Sequence, residues 1–148
     1  MKQLIYHSLM SEQLTQDDIQ DILSVSRNFN TCHAITGCLL HYKGEFLQLL
    51  EGDELIIKNL FNRIATDNRH HLVNLLYFDD AIYRAFDNWS MAFNELRLTD
   101  LCVSSGVMAI ENLRSFLGDE HRAHEAGFKL FRRVALNILD HPHYESCE

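Results

Sequence analysis

Apolar and polar positions follow two different periods along this chain, and the switches between them mark out its elements. Leu4-Ile5-Tyr6-His7-Ser8 leans apolar and is followed by polar residues, which predicts a first strand with Leu4, Tyr6 and Ser8 on one face. Thr15 then offers a helix N-cap, Asp17 and Asp18 suit the positive end of the helix dipole, and Ile19, Ile22, Leu23 and Ser26 share a helical face. A helix over 16–28 follows, with Asn28 and Asn30 suited to its end because asparagine tolerates left-handed backbone. Residues 34–42 have strand content, and Lys43-Gly44 signals a turn into a third strand over 44–52, so the two make a hairpin. Asp53 caps a second helix whose apolar stripe, Ile56, Ile57, Leu60, Phe61 and Ile64, runs toward Asp67. Residues 72–78 read as a fourth strand and 86–96, where Trp89, Met91 and Phe93 alternate, as a fifth.

The first six elements, βαββαβ, have the order of a ferredoxin-like α+β sandwich, in which both helices cover one sheet face and the first and third strands are central neighbours. The opposite face, apolar at Ile5, Leu47 and Leu49, needs its own cover. The tail can supply it: 107–117 repeats Ile110, Leu113 and Leu117, and 123–139 repeats Phe128, Phe131, Ala135 and Ile138, at helical spacing. Gly118-Asp119 separates these helices and Pro142 lies beyond the second. The expected organisation is one unit over 1–96 and a helical extension over 97–148 packed on the sheet.

One position breaks the pattern of the third strand. Gln48 alternates with Phe46 and Leu50, so an amide points where apolar neighbours point, and leaving it without hydrogen bonds would cost about 1–3 kcal/mol. Composition leaves room for either a protein partner or a ligand: 148 residues, 47% hydrophobic, bury a sizeable core without disulfides or metal. Cys32, Cys38, Cys102 and Cys147 have no regular spacing, which suits reduced thiols, and no apolar run reaches membrane-spanning length. A cytoplasmic protein is expected. The net charge of −8, with no basic cluster, argues against direct nucleic-acid binding.

Tyr6, Asn30, Gln48 and Arg63 are all poor core material in positions where core should be. Singly, Tyr6 reads as a core tyrosine, Asn30 as a helix cap and Arg63 as a surface charge paired with Asp67 at i, i+4. Together they converge on the gap between the two helices, lined by Ile22 and Ile64, where a planar polar ligand would satisfy them. The nine histidines form no zinc-like set: His70-His71, and His141 and His143 with Cys147, lack an established spacing, so no metal is expected.

The residues that carry this pattern resemble the BLUF family of flavin-using blue-light sensors over residues 2–96. The matches are Leu4-Ile5-Tyr6-His7-Ser8, Asn30, Ile35-Thr36-Gly37, Phe46-Leu47-Gln48-Leu49-Leu50-Glu51-Gly52, Asp67-Asn68-Arg69-His70-His71, and Arg84-Ala85-Phe86-Asp87-Asn88-Trp89-Ser90-Met91, in the family's order and spacing. The resemblance implies a flavin, FAD with FMN or riboflavin able to substitute, held between the two helices. It implies Tyr6 and Gln48 as the photoactive pair, Asn30 and Arg63 on the polar ring edges, Ile22 and Ile64 on the ring faces, Asp67 orienting Arg63 or the ring edge, and Ser8, Trp89 and Met91 modulating the pair. Phe29 departs from the family, which often has Asn or His there, so one polar contact to the ring is expected to be absent.

The residue types suit that chemistry. A phenol can give an excited flavin an electron and a proton, and an amide offers both a donor and an acceptor, so Gln48 can bridge Tyr6 and the flavin in more than one arrangement. The implied function is a blue-light receptor with no enzymatic output, since residues 97–148 are few for a cyclase or phosphodiesterase and carry no phosphate loop. Its signal would pass through the sheet and C-terminal helices to a light-dependent protein partner, with homo-oligomers expected. The alternatives are a flavin-dependent reductase, for which no nicotinamide fingerprint is present, and a light-indifferent ligand-binding regulatory domain.

Overall fold

Alternation along the strands builds two apolar layers, one on each side of a single sheet. The computed structural model describes residues 1–12, 14–42, 44–86, 92–95, 117–118 and 124–140. Its strands are β1 (Lys2–Met10), β2 (Thr36–Tyr42), β3 (Glu45–Gly52), β4 (His70–Asp80) and β5 (Ala92–Glu95), in the order β4-β1-β3-β2-β5. β1 lies between β3 and β4, antiparallel to both, with Tyr6 opposite Gln48 and Gln3 opposite Glu51. Gly44, at φ +80°, makes the tight turn between β2 and β3, a backbone conformation open to glycine at little cost. The first six elements have the expected ferredoxin-like order, and β5 adds a parallel edge to β2.

Helix α1 (Gln16–Cys32) starts in a capping box, Thr15 N–H donating to Asp18 Oδ2 at 2.8 Å and Asp18 N–H to Thr15 Oγ1 at 3.3 Å. It runs past the expected end at 28. The left-handed residue that follows it is Ala34 (φ 52°) rather than an asparagine, and the Asn30 carbonyl accepts from Ile35 N–H at 2.9 Å. Helix α2 (Glu54–Ala65) begins as expected at Asp53, whose carboxylate accepts from Leu55 and Ile56 N–H.

Both helices cover the face carrying Leu4, Tyr6, Phe46 and Leu50, which packs with Ile19, Leu23 and Ile57. The other face, Ile5, Cys38, Leu40, Leu47 and Leu49, is covered by helix α3 (Ala126–Asp140) through Phe128, Phe131 and Ala135, together with Phe86 and Leu117. Burying one phenylalanine fully is worth about 1.5–3 kcal/mol, and Phe86, Phe128 and Phe131 are all fully buried. The expected cover for the second face is therefore present in α3, while the helix expected over 107–117 lies outside the described residues except for Leu117.

Of the expected fifth strand, the described residues show Ala92–Glu95 as strand and Phe86 outside it. Phe86, placed at its beginning by pattern, sits instead in a bend and turns its ring into the α3 layer, in edge contact with Phe128 and Phe131. Among the described residues no helix is long and apolar enough to cross a membrane.

Gly37 tests the closeness of the hairpin. A Cβ there would stand 2.0 Å from the Leu49 carbonyl oxygen, a backbone atom that cannot move aside without breaking the ladder. Gly37→Ala is expected to cost about 3 kcal/mol, read as a lower urea midpoint. Gly118→Ala, where nothing lies within 4 Å, should leave the midpoint near native.

Candidate functional site

The sheet and its two helices leave a cleft of about 770 Å³, counted to its open mouth. Tyr6, Leu39 and Gln48 form its floor, from the three adjacent strands β1, β2 and β3. One wall is a face of α1 repeating at helical spacing, Ile22, Ser26 and Phe29; the opposite wall is Leu60, Arg63 and Ile64 of α2. Asp67 and Arg69, from the connection between α2 and β4, and His70, the first residue of β4, complete the lining.

On the floor, the Tyr6 hydroxyl donates to Gln48 Oε1. Cross-strand register produces this contact directly, since the two residues are opposite each other. Tyr6 is 1% and Gln48 5% exposed, so the pair is a polar contact inside an apolar layer. Burial, and then the charge of Asp67, push the Tyr6 phenol well above its ordinary range, so it keeps its proton at any ordinary pH. With its oxygen turned to Tyr6, Gln48 has the amide N–H₂ as its donor end, and the residue lines the cleft.

Asp67 forms a two-pronged ion pair with Arg69, Nε at 2.9 and 3.0 Å from the two carboxylate oxygens and Nη2 at 2.5 Å. That bond holds the Asp67 carboxyl below its ordinary range. Asp67 thus pairs with Arg69 while still lining the cleft, and Arg63 lies with its guanidinium 5.5 Å from the centre of the Phe29 ring. A cation–π contact of this kind uses the charge of Arg63 and none of its N–H donors. Phe29, read from sequence only as a lost polar contact, also stacks on His33 at 4.0 Å.

The remaining expected residues are distributed as follows. Ile22 and Ile64 face each other across the cleft. Asn30 is buried in the last turn of α1 and does not line the cleft. Ser8 is buried one rung-pair along β1 and bonds His70 Nδ1 at 2.9 Å, so its route to the cleft runs through that ring. Trp89 and Met91 lie outside the described residues. Pattern reasoning did not assign His70 and Arg69 to the site. His70 packs edge-on to Tyr6 and against Phe46, and its signal in the sequence was only its position just after Asp67 and Arg69. Among the described residues no group of three or more His, Cys, Asp or Glu could hold a metal.

The donor set fits a flat heteroaromatic ring with polar edges: two isoleucine walls for its faces, an amide and a phenol at the floor, and a guanidinium at the α2 wall. Comparison with known proteins agrees. The model of the BLUF family, described as sensors of blue-light using FAD, matches residues 1–92. The blue light- and temperature-regulated antirepressor BluF of Escherichia coli (strain K12) is 34% identical over 95 residues, covering 64% of this chain and 24% of the antirepressor. The chain thus spans about a quarter of that relative. Among solved structures, a calcium and cyclic-diGMP complex of Klebsiella pneumoniae BlrP1 superposes with a TM-score of 0.73 at 30% identity, over 94% of this chain and 34% of that one. The photo-activated state of BlsA superposes at 0.67 with 26% identity, over 91% of this chain and 94% of that one.

His70 gives the site a pH dependence. Burial lowers its pKa below the ordinary 6.5, with Arg69 adding to the effect and Asp67 opposing it. Between the folded and unfolded pKa values the unfolded chain binds more protons, so the stability His70 contributes is present above pH 6.5 and is lost as pH falls through the folded value. The drop in urea midpoint from about pH 7.5 to about pH 5.5 should be smaller in His70→Asn than in the native chain. An equal drop would place the ring's titration elsewhere.

Proposed function

The chain belongs to the BLUF family, the sensors of blue light that use FAD, and we propose that its signal originates in the hydrogen bond between Tyr6 and Gln48 at the floor of the α1–α2 cleft. The observation that carries this reading is a buried phenol donating to the amide of a residue that also lines the cleft. In this reading Ile22 and Ile64 hold the flavin ring by its faces, Arg63 serves one polar edge, Asn30, the residue after the cleft-lining Phe29, turns in to serve the other, and Asp67 acts by fixing Arg69. Ser8 acts by fixing His70, which borders Tyr6. When bound, the flavin supplies absorption in the blue and an excited state that takes up an electron and a proton.

Tyr6 is the donor of both. It is the phenol on the cleft floor, burial keeps it protonated, and its proton already points toward Gln48. Gln48 then changes partners: an amide whose oxygen first accepts from Tyr6 can rotate or tautomerise, and either change alters which group it donates to. The surrounding apolar layer gives Gln48 few alternatives, which makes two arrangements distinct rather than continuous. Trp89 and Met91 modulate the pair.

Output, in this proposal, is non-enzymatic. Residues 1–96 form the photosensory unit and 97–148 the helical extension that passes the change to a protein partner in the cytoplasm. Self-association accompanies it. The net charge of −8 makes a direct nucleic-acid partner a poor match. FAD is the expected cofactor, with FMN or riboflavin able to replace it, because the contacts assigned above are all to the ring.

The purified chain should be yellow, shift to the red under blue light and return in darkness. Tyr6→Phe and Gln48→Ala should each keep bound flavin and lose that shift, as followed by absorbance. A normal, reversible shift in either variant would refute the pair assignment, and a chain that takes up no flavin would refute the reading as a whole.

A further inference from the structure

The β1–β3 ladder carries a second buried polar pair three rungs from the first. Gln3 is opposite Glu51 as Tyr6 is opposite Gln48, and Gln3 Nε2 donates to Glu51 Oε2 at 2.9 Å. Three residues along a strand reverses the face, so this pair points toward α3. Glu51 is fully buried, and each of its oxygens accepts one side-chain donor and one backbone N–H. Oε2 takes Gln3 and Ala85 N–H (2.7 Å); Oε1 takes Thr36 Oγ1 (3.1 Å) and Phe86 N–H (2.9 Å). Arg84 adds a bond from Nη1 to the Glu51 carbonyl at 3.1 Å.

Residues 81–86 have no regular secondary structure, yet they are clipped at both ends of their length. At the far end Glu125, the residue before α3, accepts from Ile82 and Tyr83 N–H through one oxygen at 2.8 and 2.9 Å. At the Glu51 clip the ring of Phe86 meets Phe128 and Phe131 of α3. The helix also sits close to the sheet at Gly127, where a Cβ would come within 2.3 Å of Gln3 Oε1.

We propose that Glu51 and Glu125 make residues 81–86 a stiff link that carries a change at Gln48 on β3 to α3. The strand bearing Gln48 fixes the segment through Glu51, and the segment fixes the start of α3 through Glu125. Displacement of β3 therefore moves the helix as well as the apolar side chains beneath it. The inference rests on Gln48 as the switch, and the experiment separates the two ideas.

Hydrogen exchange of the α3 amides is compared in the light and in the dark for the flavin-loaded chain, alongside the absorbance shift. Glu51→Gln keeps the shape but sets an N–H₂ group against a backbone N–H and a side-chain donor. Glu125→Ala removes the oxygen that accepts from Ile82 and Tyr83 N–H and leaves Glu51 in place. Each variant should keep the red shift and lose the light-dark difference in α3 by about threefold or more. Undiminished α3 responses in both variants overturn the link, as does a native chain that shifts red with no α3 response. Should Glu51→Gln fail to fold, Glu125→Ala decides alone, an unaltered α3 response overturning the link. A native chain with no red shift overturns the switch itself.

Discussion

The register of β1 against β3 is the constraint from which the rest of this structure follows. It brings a phenol opposite an amide on one face and an amide opposite a carboxylate on the other. Each of these groups would be costly to bury alone, by about 1–3 kcal/mol for an unmade bond and more for the charge. Each finds a partner in the residue across the ladder. A slip of one residue would turn every side chain to the wrong face and separate both pairs at once, so the polar residues specify the register that the apolar alternation alone leaves open to competition.

That doubled pairing explains why the sheet needs covers on both sides and why they differ in character. Toward α1 and α2 the layer is incomplete, and the missing volume is the cleft above Tyr6 and Gln48. Toward α3 it is closed, with three fully buried phenylalanines and a carboxylate that leaves none of its accepting capacity idle. The first side can accept a ring; the second can only respond as a packed body, because close-packed interiors shift between arrangements rather than deform smoothly.

Much of this was legible in the sequence because it depends on period and parity. The two helices, the hairpin and the opposite orientation of Leu47 and Leu49 follow from counting positions, while the pairing of Tyr6 with Gln48 needed the strand order of the fold and the family resemblance. What escaped was decided by contacts between distant segments. Asp67 has Arg63 at helical spacing and Arg69 two residues on; the chain leaves the helix at Thr66, and the turn favours Arg69. Phe86 opens the stretch read as a strand, yet its N–H and that of Ala85 donate to Glu51, which holds it in a bend. Glu51 was read as one more residue of a strand, since nothing local says that four donors will converge on it.

Phe29 shows how a departure from a family pattern can be misjudged by chemistry alone. Replacing an amide or imidazole by a phenyl ring removes a hydrogen bond, and the sequence suggests only a loss. In the fold the same ring holds the guanidinium of Arg63 on the cleft wall and stacks on the imidazole of His33. A cation held by an aromatic face keeps its donors for a carbonyl, whereas one held by a carboxylate spends them, as Arg69 does on Asp67. In the proposed reading the two arginines therefore divide the work by their anchors: Arg69 builds the end of the cleft, and Arg63 faces what enters it.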